Sequence, residues 1–180
     1  MLKDFSKKDF TATNVLITIT VLMYIIQINI SNGGVLFGLN LYFLVYSFWW
    51  QPLTSIFAHG GIAHLGMNMF VLWQFGNLIE RFIGAKKFVA LYLITGLLTS
   101  ILSFAYIYYL DHNVNLVGAS GAICALLGFV AYYDKAQRNG IITWILLISV
   151  APLIIGLPIA WYAHFIGLAV GFLYAIITKR

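Results

Sequence analysis

Two polar residues stand where polar residues are costly. Ser120 lies in Gly118-Ala119-Ser120-Gly121 at the head of one long apolar run, and His164 lies in Ala163-His164-Phe165-Ile166-Gly167 near the head of the last. A hydroxyl and an imidazole brought together make a nucleophile and its general base, the pair that acyl transfer needs. His64 and Asn68 open a third apolar run four residues apart, so a helix presents both on one face. Both can donate hydrogen bonds, as an oxyanion demands of its surroundings. His59 stands five residues before His64, roughly 140° around a continuous helix, so the two would not face one way. That spacing does not suit a zinc motif of the H-E-x-x-H kind, which needs i, i+4 histidines and a glutamate.

Composition says what solvent surrounds these groups. The 180 residues are 62% hydrophobic and 8% charged, where a soluble domain carries about 25% charged residues. The chain reads as an all-α, polytopic integral membrane protein with one domain over 1–180, and an ionisable side chain inside a span marks a functional site by default. The net charge of +5 is scattered and forms no basic stripe with interleaved aromatics, which argues against nucleic acid as a partner. The single cysteine, Cys124, excludes an internal disulfide and a CxxC metal site. Neither a metal nor a cofactor is expected.

Six apolar runs are long enough to cross as helices, near 13–30, 62–79, 88–110, 117–133, 141–155 and 159–178. Pro152 and Pro158 predict a kinked or frayed far end for the fifth. With this count all ten basic residues fall on one side: Lys3, Lys7 and Lys8; Arg81, Lys86 and Lys87; Lys135 and Arg138; Lys179 and Arg180. The positive-inside rule then places both termini, including the segment 1–12, in the cytoplasm of a plasma (inner) membrane protein. Taking 35–50 as a seventh span would break that pattern, so 31–58 reads as a long outer segment in the interface, with Phe48-Trp49-Trp50 at headgroup level. The first run is too long for a cleaved signal peptide, and no small-x-small site follows it.

This topology makes the polar residues converge. The second, fourth and sixth spans run from outside to inside, so His59, His64, Asn68, Ser120 and His164 share one outer depth, one to three turns in. Ser120 and Cys124 share a face at i, i+4, with Gly121 and Gly128 beside it; His164, Gly167 and Gly171 share a face of the sixth span. Gly167 and Gly171 form a G-x-x-x-G pair that lets backbones approach closely. Packing these two faces together predicts Ser120 and His164 within hydrogen-bond reach. Asp4, Asp9, Glu80 and Asp134 lie on the inner side, and only Asp111, beside His112, lies outside. A Ser–His dyad is therefore expected rather than a triad.

Together, His59-x4-His64-x3-Asn68, Gly118-Ala119-Ser120-Gly121 and Ala163-His164-x2-Gly167-x3-Gly171 resemble the rhomboid family of intramembrane serine proteases, over a six-span core from about Trp50 to Gly171. The resemblance implies Ser120 as nucleophile and His164 as general base. It also implies that His64, Asn68 and the Ser120 backbone N–H hold the oxyanion, with His59 in a supporting role and Glu80-Arg81 as a structural pair. Transmembrane protein substrates would enter laterally beside the second and fifth spans and be cut near the outer face. The chain departs from the family twice: Trp50-Gln51 replaces a frequent Trp-Arg, and Cys124 replaces a frequent aromatic that packs on the catalytic imidazole.

Each residue also has a plainer role to set beside this one. Ser120 is of a type that caps helices, His64 and Asn68 suit interhelical glue, the glycines suit packing, and Trp49, Trp50 and Trp161 suit interfacial anchoring. Cys124 suits a small packing residue, and Glu80, Arg81 and Asp134 an inner polar rim. Three other functions compete: a catalytically weak or inactive rhomboid-like protein that binds transmembrane segments, a proton-relay transporter, and a membrane scaffold. Intramembrane acids and inverted repeats, which a transporter would bring, are not apparent, and a scaffold does not account for the clustering.

Overall fold

A chain crossing lipid must satisfy its backbone polar groups internally, and here each apolar run does so as a helix. The computed structural model describes residues 11–110, 114–154, 156 and 159–179. Lys3, Asp4, Lys7, Lys8, Asp9, Asp111, His112, Pro158 and Arg180 lie outside the described residues. The first run is α1 (Ala12–Asn29). Three short helices follow: α2 (Gly33–Phe37), α3 (Tyr42–Val45) and α4 (Gln51–Thr54). The second run is α5 (Ile62–Val71), continued through a π-helical turn (Leu72–Gly76) into α6 (Asn77–Ile83). Then come α7 (Ala85–Tyr109), α8 (Ser120–Tyr133), α9 (Arg138–Ile154) and α10 (Trp161–Thr178). Among the described residues no strand forms beyond one isolated bridge between Leu39 and Leu116. The protein is an all-helical, polytopic membrane protein: α1, α7 and α10 are each long and apolar enough to cross a bilayer, and α8 and α9 are shorter apolar helices.

Helix ends differ from the sequence-based expectation where backbone geometry intervenes. The fourth helix begins at Ser120, three residues later than expected, because Gly118 takes φ +126 and turns the chain before the helix starts. The second helical run extends to Ile83, its extra length passing through the π turn. Pro152 does not end α9, which the described residues carry on to Ile154. Having no N–H, the proline leaves the Ile148 carbonyl without its helical partner.

At 14 residues α8 is about 21 Å long, well short of an apolar core of about 30 Å. It compensates by burial. Every residue from Gly121 to Phe129 is buried, and α7, α9, α10 and the π turn surround it. The closest packing is against α10. A Cβ on Gly128 would strike the Leu168 carbonyl oxygen, one on Gly167 the Gly121 carbonyl oxygen, and one on Gly171 the Ala125 carbonyl oxygen. Glycine here allows backbone-to-backbone contact, which drives helix association where lipid offers no hydrophobic gain. Apolar side chains such as Ile19, Leu22, Leu102 and Leu147 face outward, as a lipid-facing surface requires.

At the other end of α8, Arg138 donates from Nε to the Ala131 carbonyl at 2.7 Å, satisfying a carbonyl of the last turn, and stacks over Phe172 at 5.5 Å. Glu80 caps a different helix. Its carboxylate accepts from the backbone N–H groups of Ala12 (2.9 Å) and Thr13 (2.8 Å) and from the Thr13 hydroxyl (2.8 Å). These are otherwise orphaned donors of the first turn of α1, where the helix dipole also favours negative charge. Glu80→Ala should therefore destabilise the protein by about 1–2 kcal/mol. Thermal unfolding in detergent would read this as a lowered midpoint, with Glu80→Gln intermediate; equal midpoints for all three proteins would remove the cap from the account.

Candidate active site

The approach to Ser120 is pinned almost residue by residue. Leu116 exchanges two backbone hydrogen bonds with Leu39, at 2.8 and 2.9 Å. The Gly118 N–H donates to the Ser55 carbonyl at 2.9 Å, and the Ala119 N–H points to His59 Nε2 at 3.5 Å. Ser120 is then the first residue of α8, so its own N–H is among those a helix leaves unpaired.

His59 is buried, and its hydrogen bonds fix its tautomer. The Phe57 carbonyl, 3.1 Å from Nδ1, can only accept, so Nδ1 carries the proton. Nε2 is then the acceptor that faces the Ala119 N–H. The His59 backbone is held in turn by Gln27 of α1, which accepts from the His59 N–H at 2.9 Å and donates to the His59 carbonyl at 2.7 Å. His59 lies ahead of α5, so the helical-wheel expectation that it turns away from His64 fails. The two ring centroids are 5.1 Å apart, edge to face.

His64 and Asn68 meet the serine loop at Gly118. A Cβ there would lie 2.7 Å from His64 Cε1 and 3.7 Å from Asn68 Nδ2. Only glycine therefore supplies both the left-handed φ and the space for the imidazole. Asn68 is buried, and one of its amide protons goes to the His64 carbonyl at 3.1 Å. From the other side, Ala163 lies next to the start of α8: its carbonyl is 3.7 Å from where a Gly121 Cβ would stand. Gly121 thus sits between α7 and α10, and Gly167 fits against Gly121 and Cys124. A cavity of about 10 Å³, room for one water molecule, is lined by Ser120, Gly118, Ala163 and the hydroxyl residues Ser55, Thr99 and Ser100.

His164 is buried on the first turn of α10, and the hydrogen bond it makes is to a residue the sequence did not single out. Its Nδ1 lies 2.9 Å from the Oγ of Ser149 on α9. Ser149 had the same sequence signal as Ser120, a hydroxyl within an apolar run. Gln27 gave a comparable signal, an amide within an apolar run.

The segment 31–58 is held by amides. Gln51, fully buried, donates to the Val35 carbonyl at 2.9 Å and faces the Asn40 N–H at 3.4 Å. Asn40 donates to Asn115 Oδ1 at 2.9 Å, and Asn115 donates to the Gly34 carbonyl at 3.0 Å. Gln51 therefore fastens this segment without a guanidinium, as the Trp50-Gln51 departure required.

Comparison with known proteins places the chain in a family. The Rhomboid domain family model matches residues 46–180. The chain belongs to the rhomboid family. Similar relatives include the rhomboid protease GluP of Bacillus subtilis (strain 168), 41% identical over 91 residues, or 51% of this chain and 17% of that one. RHOMBOID-like protein 4 of Arabidopsis thaliana is 35% identical over 138 residues, 71% of this chain and 34% of that one. The human presenilin-associated rhomboid-like protein, mitochondrial, is 35% identical over 90 residues, 50% of this chain and 24% of that one. This rhomboid chain thus spans well under half the length of these relatives.

Gly118→Ala should lower the unfolding midpoint more than Gly84→Ala. Both positions have positive φ, but open space surrounds Gly84 while His64 crowds Gly118. Each φ costs a side chain on the order of 1–3 kcal/mol, and at Gly118 the contact with His64 adds to it. Equal losses would show that the imidazole yields freely.

Proposed function

We propose that this rhomboid protein is an intramembrane serine endopeptidase that cleaves transmembrane segments of other membrane proteins near the outer membrane face. The observation that carries the proposal is the meeting of three separate elements at one end of α8. The glycine-turned loop delivers Ser120, α5 delivers His64 and Asn68 against that loop, and α10 brings His164 on the helix packed closest to α8.

In the proposed mechanism, Ser120 Oγ attacks the scissile carbonyl while His164 takes its proton. With Nδ1 engaged by Ser149, Nε2 is the nitrogen left for Ser120. The oxyanion is held by the unpaired Ser120 N–H, by His64 and by the second amide proton of Asn68, with the positive end of the α8 dipole behind them. His164 then protonates the leaving amine, and water attacks the acyl-enzyme. The small hydroxyl-lined cavity beside Ser120 is large enough to hold one water molecule there.

The six helical runs are assigned as six crossings of one domain in the plasma membrane, with the basic residues and both termini on the cytoplasmic side. Since α8 is shorter than the apolar core and its Tyr133 end adjoins Arg138 at the basic rim, its Ser120 end is recessed below the outer surface. A transmembrane helix hides its carbonyls in its own hydrogen bonds, so suitable substrates carry small or helix-breaking residues near their outer end. They approach laterally beside the second and fifth spans.

Purified protein in detergent should cut a model transmembrane substrate, and Ser120→Ala and His164→Ala should each lower kcat by at least about 10³-fold. A serine-reactive phosphonate should label the wild type at Ser120. Absence of both cleavage and labelling would favour a rhomboid-like protein that binds transmembrane segments without cutting. Equal cleavage by Ser120→Ala would remove Ser120 as nucleophile.

A further inference from the structure

The fifth span turns only a narrow stripe inward. Along α9 the buried residues are Ile141, Ile145 and Ser149, spaced i, i+4, i+8. The first two join an apolar cluster with Cys124, Leu127 and Ala131. The third has no exposed surface, and its Oγ lies 2.9 Å from His164 Nδ1. A hydroxyl buried at that position, one turn beyond two packing residues, is more than a filler of space.

We infer that Ser149 is a positioning residue for His164, holding the ring as the Nδ1–H tautomer so that the Nε2 lone pair faces Ser120. This rests on the protease function proposed above. Nδ1–H donates to Ser149 Oγ in the resting state. When Ser120 attacks, its proton moves to Nε2 and the ring becomes imidazolium. Nδ1–H stays in place, and its bond to Ser149 becomes charge-assisted and stronger. The Nε2 proton then leaves with the amine, and the ring returns to its starting tautomer. Ser149 thus takes the orienting part that a carboxylate takes in a triad, without placing an ionised acid at membrane depth, where it would cost several kcal/mol. Ser149 also offsets the small side chain at Cys124. That residue is buried against Gly167 and offers His164 no ring to pack on.

The test uses the full chain in detergent and compares wild type, Ser149→Ala, Ser149→Cys, Ser149→Thr and Ser120→Ala. Kinetics on a model transmembrane substrate are paired with ¹⁵N spectra of histidine-labelled protein, which report the tautomer of His164 directly. Ser149→Cys keeps the volume but is a poor acceptor, so it guards against a packing defect in Ser149→Ala. Both should lower kcat roughly 10- to 100-fold with KM within about twofold, and both should show mixed Nδ1–H and Nε2–H signals for His164. Ser149→Thr should recover kcat to within about threefold of wild type and restore the single tautomer. Wild-type kcat together with an unchanged His164 spectrum in Ser149→Cys would overturn the inference, as would an Nε2–H ring in the wild type. Lack of cleavage by the wild type, or equal cleavage by Ser120→Ala, would count against the protease function instead. The tautomer comparison would then still decide whether Ser149 orients His164.

Discussion

The contact between α8 and α10 is the constraint on which the rest of the structure depends. Glycine at 128, 167 and 171 lets each helix press its backbone against a carbonyl of the other, and in lipid such close packing is a principal source of attraction between helices. Because the contact is made by backbone, it leaves little freedom in register. A slide of one residue would set a side chain against a carbonyl oxygen. The relative positions of Ser120 and His164 follow from this register, since both stand on the first turn of their helix.

A rigid pair of helices does not by itself present a reactive serine, because the loop leading into α8 must also be fixed. Among the described residues the fold does this with uncharged polar groups. The Leu39–Leu116 bridge, the Asn40–Asn115 amide pair and Gln51 join the segment 31–58 to the chain just ahead of α8. Gln27 fixes the backbone of His59, whose ring meets the Ala119 N–H. Neutral donors and acceptors of this kind satisfy backbone groups at membrane depth without the desolvation cost of a buried ion.

Much of this was legible in the sequence, for identifiable reasons. Long apolar runs mark the helices, and helical spacing predicts which faces of α8 and α10 meet. The spacing of Gly118, Ser120, His64, Asn68 and His164 marked them as candidates, and the structure gathers their elements at one end of the bundle. What was hidden depended on non-helical backbone or on partners distant in sequence. The wheel placed His59 away from His64, but a wheel does not apply before Ile62, where the helix begins. The start of α8 lies later than the apolar run predicts, because a positive φ at Gly118 is invisible to hydropathy. Ser149 and Gln27 carry no such mark, because only packing tells a satisfied polar residue in an apolar run from an incidental one.

The two ends of α1 carry a consequence for how the protein is made. Gln27 finds its partners at His59, and the first turn of α1 finds its cap at Glu80. When α1 emerges from the ribosome, neither partner has yet emerged with it. A glutamine side chain left alone in lipid is unfavourable, so the first helix gains its full stability in the membrane only after the chain has been made through Glu80. Residues 12–80 therefore form the smallest stretch in which α1 is satisfied at both ends. This favours assembly of α1 with α5 and α6 as a unit before α8 and α10 arrive to complete the bundle.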